Sequence, residues 1–230
     1  MSPTLRFISD DLQLIALAFM AIVYFFRIRW LLRFKAGRER QAPTGRSDTS
    51  SSRGILYSWG NIAMPWAMES TRQHPFFYAQ FVLFHLAVAA GIAMSFVIPY
   101  APGLMKPVPV VRALQILFSL GCLIGCYRLV RRLSDPYIRQ ISTPDDIFSV
   151  LLLTVWMLVS IWAAPNRPDL GEGPLLAYFL LTALFLIYVP FSKISHYLYY
   201  PFTRYYFGRT MGTRGVYPIK HESQPKPTKV

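Results

Sequence analysis

The stretch PFFYAQFVLFHLAVAAGIAMSFVIPY, residues 75–100, contains no Asp, Glu, Lys or Arg. A helix needs about 20 mostly apolar residues to cross the hydrocarbon core of a bilayer, because each residue lengthens it by about 1.5 Å. The stretch therefore predicts a transmembrane helix. With four further apolar blocks along the chain, we expect an all-α integral membrane bundle of five transmembrane helices. The blocks are Leu12–Leu32, Pro75–Tyr100, Val110–Val130, Ile147–Ala164 and Pro174–Tyr188, the last continuing past Pro190 toward His196.

The overall composition also indicates that this chain is solvated by lipid. Hydrophobic residues make up 53% of the sequence and charged residues 15%, whereas an ordinary soluble domain has roughly 25% charged residues. The first apolar block has no small-residue cleavage site after it, and it ends in the arginines Arg27, Arg29 and Arg33. We therefore expect a retained helix and not a secretory signal peptide.

The net charge of +13 is unevenly distributed between the two ends of the predicted helices. With the N-terminus outside, 20 of the 24 Lys and Arg residues lie on the cytoplasmic side. Loops rich in Lys and Arg stay in the cytoplasm, so this distribution predicts the N-terminus outside and the C-terminus in the cytoplasm. It also explains the surplus charge without a nucleic acid partner, and it suits anionic lipid or an acidic partner protein.

The chain is predicted to form one transmembrane domain, residues 1–200, followed by a basic cytoplasmic tail, residues 201–230. The domain includes a flexible cytoplasmic loop at 33–74, in which Gln41–Arg53 is rich in Ser, Thr and Gly. Within the same loop, Ile55–Met68 combines aromatic residues with few charges, which suits either the membrane interface or a docking surface. The polar, Pro- and Lys-rich end of the tail is predicted to be disordered.

Two pairs of reactive side chains are interpreted as structural. Asp145 and Asp146 follow Thr143 at the start of the fourth helix, a pattern typical of an N-cap with acidic residues in the first turn. We therefore interpret these carboxylates as capping residues and not as a catalytic pair. Cys122 and Cys126 are four residues apart on one helix, too distant for an unstrained disulfide. Neither cysteine belongs to a C-x-x-C-H motif, which excludes covalent attachment of a c-type haem.

The apolar cores of the predicted helices contain no Asp, Glu or Lys, so histidine is the ionisable residue of interest there. Ionisable residues inside a bilayer are costly and usually functional. His85 lies in the second helix, about 10 residues or about 15 Å from its cytoplasmic end, and His196 follows the fifth helix on the same side. Two such histidines can ligate a haem iron from both faces, or they can simply hydrogen-bond within the bundle.

Small residues accompany the histidine of the second helix. Ala89 and Ala93 continue its face at helical spacing, with Ala87 and Gly91 alongside. Small side chains let a flat macrocycle approach the helix, but they equally let another helix pack closely. Spacing alone leaves both interpretations open.

Five short motifs are distributed along the predicted helices and their ends, namely LFH at 83–85, CLIGC at 122–126, RRLSDP at 131–136, TPDDI at 143–147 and VPFSKISH at 189–196. Together they resemble the gamma subunit of respiratory nitrate reductases, a membrane cytochrome b of a quinol-oxidising complex. The similarity spans nearly the whole chain, and it extends to gamma-like membrane subunits found with sulfite-reduction-linked complexes and with certain nickel–iron hydrogenases. Its most specific part is the Pro-Phe-Ser that precedes the histidine after the fifth helix.

The resemblance implies one haem b where the family has two. In that family four histidines of the second and fifth helices bind two haems, and His85 and His196 match the pair nearer the cytoplasm. The positions that match the other pair are Ser95 and Tyr178, neither of which is a usual ligand of haem b. His74 directly precedes a proline, which biases it toward extended geometry outside the helix, so we do not expect it to hold a second haem.

The function expected from these features is electron transfer in the cytoplasmic (inner) membrane of a bacterium or archaeon. The subunit, non-catalytic or quinone-reactive, would carry electrons between quinone or quinol and a cytoplasmic iron–sulfur subunit of an oxidoreductase complex. Arg128, Lys193 and Tyr188 are candidate contacts of the haem propionates or of the quinone head group, although each also suits an interfacial anchor. The alternative is a haem-free membrane anchor or assembly subunit, in which His85 and His196 only hydrogen-bond.

Overall fold

The computed structural model describes residues 2–34, 37, 42–64 and 69–219 of this chain. Every regular element in these residues is a helix, and two 3₁₀ turns, Val189–Phe191 and Lys193–Ser195, precede the last one. The predicted disorder of His221–Val230 concerns residues outside the described ranges. The helices are α1 (Pro3–Arg33), α2 (Ser51–Ala63), α3 (Glu69–Gln73), α4 (Pro75–Tyr100), α5 (Val108–Ser134), α6 (Pro136–Ile141), α7 (Pro144–Ala163), α8 (Gly173–Tyr188) and α9 (His196–Thr213).

Five of these helices are long and apolar enough to span a membrane, namely α1, α4, α5, α7 and the continuous stretch Gly173–Phe191 that begins with α8. This confirms the prediction of an all-helical chain with five candidate transmembrane helices. Four of the five predicted blocks agree with the observed helices to within a few residues.

The first helix begins nine residues before its predicted start. Ser2 is its N-cap, since its side chain accepts a hydrogen bond from the backbone N–H of Leu5 at 3.1 Å, and Pro3 occupies the first helical position. A π-helical turn at Phe7–Asp11 continues the helix. The charged residues of these first turns interrupt the apolar pattern, so the start of the helix predicted from hydropathy alone is too late.

The chain divides into two compact units. The first comprises residues 1–33 and 74–195, and the second comprises residues 34–73 and 196–230. Within the first unit, α5 packs against both α4 and α7, α7 packs against α8, and α8 packs against α1. All five candidate spans therefore belong to the first unit, with the fifth lying between the first and the fourth.

An aromatic stack forms the centre of the first unit. The Trp156 ring is parallel to the rings of Phe185 and Tyr178, with centroids 5.4 and 6.0 Å away, and all three side chains are buried. The indole N–H of Trp156 donates to the Thr182 hydroxyl at 2.9 Å. Gly91 of α4 makes room for this stack, because a Cβ atom there would lie 2.5 Å from the Trp156 ring.

The second unit is built on a close crossing of α2 and α9. A Cβ atom on Gly208 would lie 2.6 Å from the backbone oxygen of Gly54, so the two backbones nearly touch. The Arg204 guanidinium donates to the backbone oxygen of Ser58 at 2.9 and 3.0 Å, and the Trp59 indole donates to the Pro201 backbone oxygen at 3.1 Å.

This unit combines residues that the sequence analysis placed in the cytoplasmic loop and in the tail. Residues of the loop at 33–74 pair with residues of the tail at 201–230, and a helix extends from His196 through Thr213. The segment Ile55–Met68, whose role the sequence left open, contributes the second half of α2 up to Ala63. The spacing of Gly208 and Gly212, four residues apart, is the sequence signal for this close helix contact.

Candidate functional site

His85 lies in the second candidate span, α4, on an exposed face of the helix. Its Nδ1 atom is 2.7 Å from the backbone oxygen of Phe81, one turn earlier. A carbonyl oxygen only accepts hydrogen bonds, so Nδ1 carries the proton and donates it. In the neutral form of the ring, the lone pair is then on Nε2. The Phe81 ring, with its centroid 4.0 Å from that of the imidazole, restricts rotation of the histidine side chain.

The small residues near this histidine separate into two groups. Ala89 and Ala93 lie on the same side of α4 as the histidine, one and two turns further on, and are exposed. Ala87 and Gly91 are buried, and Gly91 lies directly against the Trp156 ring. The sequence left helix packing and macrocycle binding open for all four residues. The structure assigns Ala87 and Gly91 to helix packing, whereas Ala89 and Ala93 provide a low, apolar surface beside the imidazole.

His196 is the first residue of α9 and belongs to the second unit, whereas His85 belongs to the first. It is exposed, and it follows a segment of the first unit that is held by buried serines. The Ser192 hydroxyl donates to the Val189 backbone oxygen at 3.0 Å, and the Ser195 hydroxyl donates to the Ser192 backbone oxygen at 2.7 Å. The Pro-Phe-Ser motif thus forms two tight turns that end at the residue before the histidine.

The carboxylates at the start of α7 hold this same segment. Thr143 and Asp146 form a reciprocal capping box, which confirms the predicted N-cap. Asp146 also pairs with Lys193, whose Nζ atom is 2.7 Å from Oδ2. Asp145 accepts hydrogen bonds from the Tyr188 hydroxyl and, at 3.0 Å, from the backbone N–H of Lys193.

Lys193 and Tyr188, two of the three candidate propionate or quinone contacts, are therefore brought together by Asp145 and Asp146. Their assignment to a propionate or a quinone head group stays a prediction. The sequence identifies the two carboxylates as caps but does not reveal this second role, because nothing local relates residues 145 and 146 to residues 188 and 193. Contacts between residues more than forty positions apart in sequence become visible only when the helices pack.

Arg128, the third candidate, lies on α5 with its guanidinium carbon 5.4 Å from the centre of the Phe84 ring. Phe84 immediately precedes His85, but one residue turns a helix by about 100°. Phe84 is consequently buried while His85 is exposed. Arg128 therefore contacts the face of α4 that is turned toward α5. Its role at a haem propionate or a quinone likewise stays a prediction.

Ser95 and Tyr178 stand at the positions that match the second histidine pair of the resembling family. Tyr178 is completely buried, and its hydroxyl donates to the backbone oxygen of Gly91 at 2.5 Å. Ser95 donates to the backbone oxygen of Ile92 at 2.7 Å. The Trp156 ring packs beside Tyr178, so side chains fill the interior at this level of the first unit.

His74 precedes the second span and is its N-cap, with φ −129° and ψ 62°, outside the helical region. This confirms the prediction that the proline after it excludes it from the helix. Its ring contacts Phe77, with the centroids 6.3 Å apart. The structure therefore places His74 more than two helical turns before His85 on the chain, at the end of α4 rather than within it.

Within the described ranges, no group of three or more His, Cys, Asp and Glu side chains is arranged to hold a metal ion. A site built from amino acid side chains alone needs three or four ligands of this kind for zinc and comparable metals. Haem iron has a different requirement, because the porphyrin supplies four nitrogen ligands and the protein supplies one or two axial ligands. A pair of histidines meets that requirement.

No family model matches this sequence, and a comparison with curated proteins finds no match either. The likeness to the nitrate reductase gamma subunit therefore rests on the quoted motifs. Of these motifs, the structure gives a local role to three. RRLSDP ends α5 and supplies the N-cap of α6, since the Asp135 side chain accepts hydrogen bonds from the backbone N–H groups of Tyr137 and Ile138. TPDDI caps α7, and VPFSKISH forms the two turns and the start of α9.

Proposed function

We propose that this protein is a membrane cytochrome b subunit of a respiratory oxidoreductase complex, with one haem b ligated by His85 and His196. It transfers electrons between quinone or quinol and an iron–sulfur subunit on the cytoplasmic side. The observation that carries the proposal is the hydrogen bond from Nδ1 of His85 to the Phe81 carbonyl at 2.7 Å.

That hydrogen bond gives His85 the form that a metal ligand needs. A metal-ligating histidine usually donates its second ring N–H to a carbonyl or a carboxylate, which selects the tautomer and orients the ring. Here the Phe81 carbonyl leaves the lone pair of the neutral ring on Nε2, and the exposed side chains on this face of α4 are apolar, namely those of Phe81, Ala89, Ile92 and Ala93. Bound haem supplies the one-electron redox chemistry, and the protein supplies axial imidazoles and an apolar surface.

The filled interior around Tyr178 supports one haem and not two. The stack of Tyr178, Trp156 and Phe185 is buried on all sides. A second macrocycle between the second and fifth spans would have to displace these rings. It would also lack ligands, because Ser95 and Tyr178 each donate a hydrogen bond to a backbone carbonyl of α4 instead.

The distribution of Lys and Arg supports a defined orientation of the complex. The positive-inside rule gives the N-terminus outside, the C-terminus in the cytoplasm, and location in a bacterial or archaeal cytoplasmic membrane. His85 and His196 then both lie in the cytoplasmic half of the membrane, near the face on which 20 of the 24 basic residues lie. A basic face attracts an acidic partner surface and suits docking of the iron–sulfur subunit there.

The proposal is tested by absorption spectroscopy on membranes and on the purified protein. We expect a reduced-minus-oxidised spectrum of the b type, with one haem per chain by pyridine haemochrome assay. His85→Ala and His196→Ala should each abolish it. His74→Ala is the matched control and should keep the full signal, because His74 lies at the N-cap of α4.

A further variant separates ligation from folding. His85→Met retains a side chain that can ligate iron, so we expect haem to be retained with a raised midpoint potential. Absence of haem from the folded wild-type protein would refute the cytochrome and would favour a haem-free membrane anchor. An unchanged spectrum in folded His85→Ala protein would refute the ligand assignment.

A further inference from the structure

One pocket of the first unit lies where α4, α5, α6 and α7 meet. Its volume is about 290 Å³, and its polar wall consists of Gln80, Tyr127, Arg128, Arg131 and Arg132. Small-molecule sites usually measure about 300–1,000 Å³, so this pocket suits a head group better than a whole cofactor. It lies on a different face of α4 from His85, because Phe77 and Gln80, which line it, are about 80° and 140° around the helix from that histidine.

The three arginines share one face of α5, because they stand at positions i, i+3 and i+4. Like charges at this spacing repel each other on a helix. Among the residues that the structure describes, no carboxylate lies within 4 Å of these guanidinium groups, whereas Arg46, Arg167 and Lys193 each have one. The pocket therefore concentrates three positive charges, and no described carboxylate of the chain neutralises them.

Each of these arginines is nevertheless held in place. The guanidinium carbons of Arg128 and Arg131 lie 5.4 and 5.1 Å from the ring centres of Phe84 and Phe77, respectively. Arg132 donates to the Ser142 hydroxyl at 2.8 Å. Stacking on a ring and one hydrogen bond leave most of the N–H groups of a guanidinium free to meet an anion, and they reduce the conformational entropy lost when it binds.

The pocket lies near the C-terminal end of α5, the third candidate span. Arg128 is six residues before the last residue of α5, which corresponds to about 9 Å along the helix axis. An apolar stripe leads away from the pocket on the outside of α5, where Tyr127, Leu123, Leu120 and Ile116 are all exposed. A ligand with an anionic head and long apolar chains matches this combination.

We propose that this arginine pocket binds the phosphodiester head group of an anionic phospholipid, with the acyl chains along the exposed stripe of α5. The guanidinium fork matches phosphate oxygens in pairs, and basic pockets between transmembrane helices on the cytoplasmic side commonly bind such head groups. The proposed topology places the pocket in the cytoplasmic leaflet. The lipid supplies a counter-charge that the described part of the chain does not provide there.

The larger pocket at the opposite end of the spans does not compete for this role. It measures about 440 Å³ and is lined by Lys106, Arg112 and Arg167 among others. Arg167, however, already forms an ion pair with Asp169 at 2.8 Å. The greater volume of this pocket therefore does not make it the better site for an anionic head group, because a carboxylate already pairs with one of its basic residues.

The test is lipid binding by the full chain, measured by native mass spectrometry of delipidated, detergent-solubilised protein titrated with phosphatidylglycerol. The ligand-site variant is Arg128→Gln/Arg131→Gln/Arg132→Gln. The control Arg29→Gln/Arg33→Gln/Arg139→Gln removes the same charge from the same proposed side but none of it from the pocket. Since each basic residue near an anionic lipid contributes roughly tenfold or less in affinity, we expect about a hundredfold weaker binding in the first variant and a small effect in the second.

Two further ligands identify what the pocket recognises. Phosphatidylcholine should bind much more weakly than phosphatidylglycerol, because its head group carries a compensating positive charge. Inorganic phosphate should not displace phosphatidylglycerol at millimolar concentration. Equal loss of binding in both triple variants would overturn the proposal in favour of general surface charge, and displacement by phosphate would overturn it in favour of a free-anion site.

A conservative variant keeps the test valid if the triple variant does not fold. Arg128→Lys keeps the charge but loses the planar fork, so we expect severalfold weaker binding of phosphatidylglycerol in a folded protein. Unchanged affinity of Arg128→Lys would contradict the bidentate contact. Arg131→Lys, at a pocket arginine that is not a candidate haem or quinone contact, should also weaken lipid binding and should leave the haem spectrum unchanged, which separates failure of the lipid site from failure of the proposed function.

Discussion

Replacing Asp145 with Ala should destabilise the first unit more than replacing any exposed acidic residue. The Asp145 carboxylate accepts one hydrogen bond from the Tyr188 hydroxyl and one, at 3.0 Å, from the Lys193 backbone N–H. It also lies in the first turn of α7, where the helix dipole favours negative charge. Alanine removes all three interactions and leaves the partly buried Tyr188 hydroxyl with only its contact to Ser149, at 3.0 Å.

The magnitude follows from these contacts. A hydrogen bond to a charged group contributes about 1.5–3 kcal/mol, and partial exposure reduces each of these two to about 1 kcal/mol. The dipole interaction adds about 0.5 kcal/mol. The total of about 2–3 kcal/mol corresponds to a decrease in Tm of about 4–12 °C for a chain of this size.

The assay is thermal unfolding in detergent, followed by circular dichroism. Asp169→Ala is the matched control, because Asp169 is also a hydrogen-bonded carboxylate, but its partner is Arg167 and both side chains of that pair are 58% exposed. An exposed pair of this kind contributes little or nothing measurable, so its Tm should stay close to that of the wild type. Tyr188→Phe combined with Asp145→Ala should cost less than the sum of the two single changes, because the two residues share one hydrogen bond.

Equal Tm values for Asp145→Ala and Asp169→Ala would refute this reasoning. They would mean that the acidic start of α7 is only a cap and does not hold the segment that leads to His196. A second consequence concerns the proposed haem. If Asp145 orients that segment through Lys193, haem content should fall in Asp145→Ala and not in Asp169→Ala.

Three further predictions concern other parts of the molecule. Tyr178→Phe should lower the free energy of unfolding by about 0.6–1.7 kcal/mol, the range for hydrogen bonds inside membrane proteins, because it removes the buried hydrogen bond to the Gly91 carbonyl. Denaturant unfolding measures this free energy, and no change would mean that the hydrogen bond contributes nothing. Gly208→Leu should separate α2 from α9, since a side chain there meets the Gly54 backbone. Limited proteolysis of the 42–64 segment should become faster in this variant, whereas its rate should not change in the control Thr203→Leu. Glu172 has a pKa below its ordinary value because it accepts hydrogen bonds from the side chain and backbone of Ser2, so its contribution to stability is present at neutral pH and lost as the pH falls below about 4. The Tm difference between wild type and Glu172→Gln should shrink over that range, and a constant difference would contradict the pKa shift.

The five candidate membrane spans of this chain follow from local sequence. Each span is a continuous apolar stretch, and its helical hydrogen bonds form within the stretch itself, so neither its existence nor its approximate bounds depend on distant residues. The N-cap at Thr143 and the exclusion of His74 from α4 are local for the same reason. The late predicted start of α1 is the exception, since the Ser2 cap lies among charged residues that hydropathy does not recognise.

The role of the small residues and of the loop and tail was decided by tertiary packing. The sequence could not separate Ala87 and Gly91 from Ala89 and Ala93, because all four are small residues on α4 and only the position of Trp156 shows which pair faces the core. In the same way, the glycine spacing predicts that another helix packs closely at Gly208, but only the structure shows that this helix is α2. The identity of a side chain fixes what contacts it is able to make, but which contacts form depends on residues distant in sequence, and only the folded chain brings those residues together.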